Sequence, residues 1–159
     1  MDFGPGGDLL ISSAEDGMAR FWAIPDRMEP AKTYPEAGWA FAFDSSGARL
    51  AVAYADETIR IHHPHSQQSV GPALTSDGVV SEMAFSPDGR LLAAGSLNGS
   101  VQMWRADTGV PYGDPLVHGE PMPGISFGVA FSPDGSRLAS VAADGTLKLW
   151  DVHTHTLAV

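Results

Sequence analysis

By type and spacing, the residues of this chain that come nearest to chemistry are its histidines and a recurring set of carboxylates. His62, His63 and His65 lie together in "IHHPH", and His153 and His155 stand two apart in "HTH". Two histidines at i and i+2 of a strand share a face, which is the spacing of a pair of metal ligands. No acid stands at a supporting distance in the sequence to complete a ligand set, and His62 occupies a position filled elsewhere by tryptophan. The histidines therefore read as packed or solvated, with no metal site. Asp16, Asp56 and Asp144 look like a carboxylate set, but each recurs at the same place in a repeated turn, where an aspartate accepts hydrogen bonds from the backbone of its own hairpin. Asp88 and Asp134 belong to a second kind of turn and read likewise. There is no Gly-x-Ser-x-Gly elbow and no phosphate-binding glycine loop leading into a helix. The absence of cysteine removes thiolate nucleophiles, disulfides and thiolate zinc sites. No catalytic, cofactor-binding or metal-ligating residue is assigned.

The elements that carry these residues repeat. "AFSPDGRLLAAGSLNGSVQMW", Ala84 to Trp104, and "AFSPDGSRLASVAADGTLKLW", Ala130 to Trp150, are two statements of one pattern. Aligned on the phenylalanine, the pattern occurs four times, at Phe3, Phe43, Phe85 and Phe131. Each Phe leads into a turn ("GPGG", "DSSG", "SPDG", "SPDG"), then to Asp16, Asp56, Asn98 or Asp144, and then to Trp22, His62, Trp104 or Trp150. The spacing inside the units is constant and the connectors vary, as expected when a packed unit resists insertions and loops tolerate them. Within a unit, "GVAFS" alternates as a strand, "SPDG" has the residue order of a type I turn, "RLASVAA" is a second strand, "DG" is a hairpin signal, and "TLKLWDV" is a third strand. The variable stretches "QSVGPAL", "VPYGDPL" and "HTLAV" supply a fourth, outer strand, where proline is tolerated. The expected architecture is all-β, with four four-stranded antiparallel units over about 1–35, 36–77, 78–120 and 121–159. Such sheets are apolar on both faces and must stack on neighbours of their own kind.

Composition narrows the function classes. The hydrophobic fraction of 43% is too high for a disordered chain. No apolar run is long enough to span a bilayer, and "MDFGPGGDLL" lacks the basic and apolar regions of a signal peptide, so a cytoplasmic location is expected. Nineteen acids against nine bases give a net charge of −10, with no basic cluster. Nucleic acid and anionic membrane surfaces are disfavoured as partners.

The stretch "FSPDGSRLASVAADGTLKLWD", Phe131 to Asp151, resembles the WD-repeat β-propeller family, whose namesake dipeptide is Trp150-Asp151. The other units depart from it, with Trp22-Ala23, His62-His63 and Trp104-Arg105. The connectors "GPAL" and "GDPL" are similar to those of bacterial members. The resemblance implies a hydrogen-bonded set in each blade, made of a His before the first strand, a Ser in the second, the turn Asp and the Trp of the third. That set looks sparse here. The family's Gly-His dipeptide is missing, His118 stands near its place, and Ser96 fills the serine position in the third unit only, with Ala14, Tyr54 and Ala142 elsewhere. Apolar packing and modest stability are expected.

Family rings usually close with seven or eight blades, and four units leave three readings open: a piece of a longer propeller, two copies closing one ring, or a compact four-bladed ring. The resemblance also implies a partner-binding rim formed by the loops between second and third strands and those entering each first strand. Here that rim carries Glu15, Glu57, Leu97, Asp77, Glu120 and Met122. Trp39 stands where the other units have Ser81 and Phe127, and is either core or part of the rim. An acidic rim with a few apolar points suits a basic or amphipathic peptide. The expected function is a non-catalytic protein–protein interaction scaffold or sensing module. The alternatives are a propeller enzyme of the metal-assisted hydrolase type, and a purely structural repeat segment of a multidomain signalling protein. Against the enzyme stand the first strands "GWAFAF", "VVSEMAF" and "ISFGVAF", in which Glu82 is the one ionisable group.

Overall fold

The structure is a computed structural model that describes residues 1–14, 16, 18–24, 30–34, 37–66, 68–118, 128–142 and 144–158, with backbone alone described for 30–32, 34 and 37–39. Among the described residues there are sixteen strands and no helix. Blade 1 is β1 (Asp2–Phe3), β2 (Leu9–Ser13), β3 (Ala19–Ala23) and β4 (Pro30–Tyr34). Blade 2 is β5 (Ala37–Phe43), β6 (Leu50–Tyr54), β7 (Thr58–His62) and β8 (Leu74–Thr75). Blade 3 is β9 (Val80–Phe85), β10 (Leu91–Ser96), β11 (Ser100–Arg105) and β12 (Leu116–Val117). Blade 4 is β13 (Gly128–Phe131), β14 (Arg137–Val141), β15 (Leu147–Asp151) and β16 (Thr156–Leu157). Each blade is an antiparallel meander in which consecutive strands are neighbours.

The turns follow from their residues. In each first turn a glycine N–H closes on the carbonyl three residues back: Gly7 on Gly4, Gly47 on Asp44, Gly89 on Ser86 and Gly135 on Ser132. All four glycines have φ near +70° (72°, 71°, 69° and 72°), a left-handed conformation in which a Cβ is costly. In the second turn Asp16, Asp56, Asn98 and Asp144 each accept the N–H two residues on, from Met18, Thr58, Ser100 and Thr146. This is the expected local capping role.

Register then sorts the side chains into two faces. Phe131, Leu138 and Trp150 are aligned across blade 4, as are Phe85, Leu92 and Trp104 in blade 3 and Phe43, Leu50 and His62 in blade 2. This face packs on the blade before. The opposite face, Ile11 and Phe21 in blade 1, Ala51 and Ile61 in blade 2, Ala93 and Met103 in blade 3, packs on the blade after. Three cores result, one per junction. Leu9, Ile11, Ala19 and Phe21 meet Leu50 and Phe43; Ala51, Ala53, Ile59 and Ile61 meet Leu92 and Trp104; Ala93, Val101 and Met103 meet Leu138 and Trp150. The first strands β5, β9 and β13 lie side by side, with β9 in the middle.

Two expectations are corrected. The serine of the polar set lies two residues earlier than Ser96 and its counterparts, and blade 4 has the complete set. Trp150 Nε1–H donates to Ser140 Oγ (2.9 Å), Ser140 pairs with His118 Nδ1 (2.5 Å), His118 Nε2 pairs with Thr146 Oγ1 (2.8 Å), and Thr146 Oγ1 donates to Asp144 (2.6 Å). Ser140 stands diagonally across the ladder from Trp150, within reach of the indole, whereas position 142 lies beyond the strand end. Blade 1 repeats the inner half, Trp22 Nε1–H donating to Ser12 Oγ (2.8 Å), and blade 2 substitutes a Tyr54 hydroxyl to His62 Nε2 contact (3.2 Å). The blades thus combine apolar packing with buried polar ties. Second, His153 and His155 sit in the turn between β15 and β16, where the Asp151 carboxylate accepts the N–H groups of His153 and Thr154. They do not share a strand face.

Candidate interaction surface

The second turns of blades 2 and 3 and the connector between those blades are tied into one rim by hydrogen bonds. The Glu57 carbonyl accepts from both Ser76 N–H and Ser76 Oγ (each 2.9 Å). Ser76, itself buried, sits beside Asp77; the Asp77 carbonyl accepts from the Asn98 side-chain amide, and the Val79 carbonyl accepts from Leu97 N–H (2.9 Å). Glu57, Asp77 and Leu97 are therefore held on one edge. Glu57 and Asp77 are exposed there and Leu97 is half-buried. Val79, an exposed apolar residue on the same edge, was not marked by the sequence; its signal is its place between the Asp77-Gly78 turn and the start of β9. Trp39 lies on β5, and of its side chain nothing is described; Glu15, Glu120 and Met122 lie outside the described residues.

Glu57 is unusual within this rim. Its φ is +62°, in the left-handed region where Gly99 (+87°) and Gly145 (+84°) stand at the matching places of blades 3 and 4. A side chain there costs backbone energy that glycine would not.

The remaining charged groups sort by surroundings. Asp56 pairs with Arg60 (3.0 Å) and Asp16 pairs with Arg20 (2.5 Å), so the turn acids are partly neutralised by cations of the next strand. Hydrogen bonds from Thr58 hold the Asp56 carboxyl below the usual range, and those from Thr146 do the same for Asp144. At the inner strands, Glu82 on β9 shares a cavity of about 330 Å³ with Met1, Asp2, Ala40 and Phe41. Burial first, and then the nearby Asp2 carboxylate, push the Glu82 carboxyl up. The sequence points to Glu82 there but not to Asp2, which lies on the two-residue first strand of blade 1. Among the described residues no three His, Asp or Glu converge in a way that could hold a metal ion. His62 is buried against Tyr54, His63 Nδ1 pairs with the Ala48 carbonyl (3.1 Å), and His155 packs edge-on against Tyr112 at a ring separation of 5.0 Å. No helix among the described residues is long and apolar enough to cross a membrane.

Four-stranded meanders stacked face to face, with a turn Asp, a buried Ser and a Trp tied together in the last of them, define a set of WD-type propeller blades. The sequence model of the family "WD domain, G-beta repeat" matches residues 1–23, 68–105 and 123–151, and the chain belongs to that family. It is also similar to "Periodic tryptophan protein 2 homolog" of Schizosaccharomyces pombe (strain 972 / ATCC 24843), with 28% identity over 108 residues, covering 66% of this chain. The chain spans 13% of the length of that relative. WD repeats generally act as protein-interaction scaffolds, and this chain carries that fold.

Proposed function

We propose that the chain is a non-catalytic docking module whose rim at Glu57, Asp77, Val79 and Leu97 takes a basic, amphipathic protein segment. The observation that carries this reading is the hydrogen-bonded assembly of two acids and two apolar side chains on one edge, supported by the left-handed Glu57 that turn stability alone would not select. The net charge of −10 favours a basic partner and speeds its encounter at low salt. The reading as a non-enzyme rests on the acids and histidines having turn-capping and packing partners of their own. A cytoplasmic site of action is part of the same proposal and accords with a cysteine-free chain.

A random-peptide display selection on the immobilised chain tests it. Selected peptides should alternate Lys or Arg with apolar residues, and their binding should weaken with salt and be lost in the double variant Glu57→Lys, Asp77→Lys. Selected peptides that bind the double variant as well as the wild type would reject this rim.

A further inference from the structure

The two ends of the row of blades present faces that fit each other. In blade 4 the side facing away from blade 3 is built from Ala139, Val141, Leu147 and Leu149. Leu147 is 58% exposed and Val141 42% exposed. The matching positions to Leu147 in the other blades, by alignment on the Trp or His of the third strand, are Ala19, Ile59 and Val101, and each is 0% exposed under the next blade. At the other end, blade 1 turns Phe3, Leu10 and Trp22 away from blade 2. Phe3 is 59% exposed, whereas Phe43, Phe85 and Phe131 are partly buried and packed on the blade before.

The chemistry of what covers each open face is on the page three times over. A face of the blade 4 type is covered, at every internal junction, by an aligned Phe, Leu and Trp or His of the following blade. Blade 1 leaves the Phe3 of that trio exposed and its Trp22 half-buried, while Leu10 between them is buried. Had blade 1 of the same copy lain on blade 4, Leu147, Val141 and Phe3 would be as buried as their counterparts. The complement of each face therefore exists on every copy of the chain but is not met within one copy. The structure assigns both faces to a second copy, docked head to tail, so that blade 4 of each copy continues into blade 1 of the other through two further junctions of the same kind. Contacts of this heterologous type either close or grow without limit. A pair is the smallest assembly of copies that leaves no face of either kind open. This inference uses the end faces and is independent of the rim proposed above.

The test is the solution mass of the 159-residue chain by light scattering across a hundredfold range of concentration, together with Phe3→Asp and Leu147→Asp. The expected wild-type species is a single one at twice 16.7 kDa. In a pair of either single variant both junctions contain a charge, so each variant should run as a folded monomer, with the wild-type circular-dichroism spectrum. Mixed in equal amounts, the two variants keep one unaltered junction between them, and a heterodimer should reappear with at least tenfold weaker association than the wild type. Recovery on mixing is the mark of head-to-tail docking, since an interface pairing like with like would not be restored. A wild-type monomer at every concentration overturns the proposal; if the Leu147 face of that monomer binds a hydrophobic dye, its occupant is something else, such as further blades. A ladder of growing species overturns the closed pair.

Discussion

Replacing Ser140 with alanine removes the centre of the buried chain that runs Trp150–Ser140–His118–Thr146–Asp144. The Oγ atom accepts the Trp150 indole N–H at 2.9 Å and pairs with His118 Nδ1 at 2.5 Å, and Ser140 itself is 0% exposed. Alanine leaves a buried indole donor and a buried imidazole nitrogen without this partner, and no room opens for solvent. Each stranded group costs about 1–3 kcal/mol, so the two together give an expected loss of about 2–6 kcal/mol. Among the described residues the partly buried Ser12 holds one such bond, to Trp22 Nε1. Its alanine variant lets the indole turn to water and should cost about 0.5–1.5 kcal/mol. Urea unfolding followed by tryptophan fluorescence and by circular dichroism reads both, at fixed protein concentration, and coincident transitions license the comparison. Ser140→Ala should lower the midpoint clearly more than Ser12→Ala. If Ser140→Ala stays within about 0.5 kcal/mol of the wild type, or costs no more than Ser12→Ala, the polar chain does not stabilise blade 4 and the reasoning fails.

Glu57→Gly should stabilise the chain by about 1 kcal/mol, read as a rise in the urea midpoint, because it relieves a left-handed non-glycine residue; a fall would show that the side chain is structurally required. Burial, and then the Lys148 charge, hold the His118 pKa below its ordinary value of 6.5. For a histidine lowered in the folded state the unfolded chain binds the proton first, so stability is full above about pH 6.5, falls as the pH drops through that value, and levels off below the folded pKa. The loss between pH 7 and pH 5 should be smaller in His118→Asn, and an unchanged pH profile would contradict it. Asp44 is buried; burial pushes its carboxyl up, but the Arg49 N–H and guanidinium and the Ser46 hydroxyl outweigh this and hold it below the usual range. Asp44→Ala should cost about 1–3 kcal/mol, more than Asp134→Ala, whose exposed carboxylate, held at about 2 by Ser132 and Ser136, bonds within its own turn; equal midpoints would refute the difference.

Much of the fold was legible in the sequence because it repeats. A glycine at φ near +70° and an aspartate two residues before the N–H it caps are requirements of single turns, so residue type and spacing reveal them. In the third strand of blade 4, Leu147 and Leu149 fall on one face and Lys148 and Trp150 on the other, as their alternation in the sequence predicts. The polar chain is less legible in the sequence for a related reason. Position 142, an alanine, has the same parity as Ser140 but lies past the end of the strand, and the diagonal step across the ladder puts Ser140 against Trp150. His153 and His155 misled in the opposite way: their spacing suits a strand, but the Asp151 carboxylate captures the backbone first and makes a turn.

The rim shows the same division. The sequence supplied Glu57, Asp77 and Leu97 as turn residues of three separate segments, and it could not join them. The ties that do so run from Ser76 to the Glu57 carbonyl and from Asn98 to the Asp77 carbonyl, between residues 19 and 21 apart. By itself, then, the sequence determined the blade: how long it is, where it turns, which face carries Phe, Leu and Trp, and how acidic its edge is. Only the tertiary structure decided which loops share an edge and which faces stay open. Local rules act over a few residues of chain, whereas a rim and a stacked face exist only where segments far apart in sequence are brought into contact.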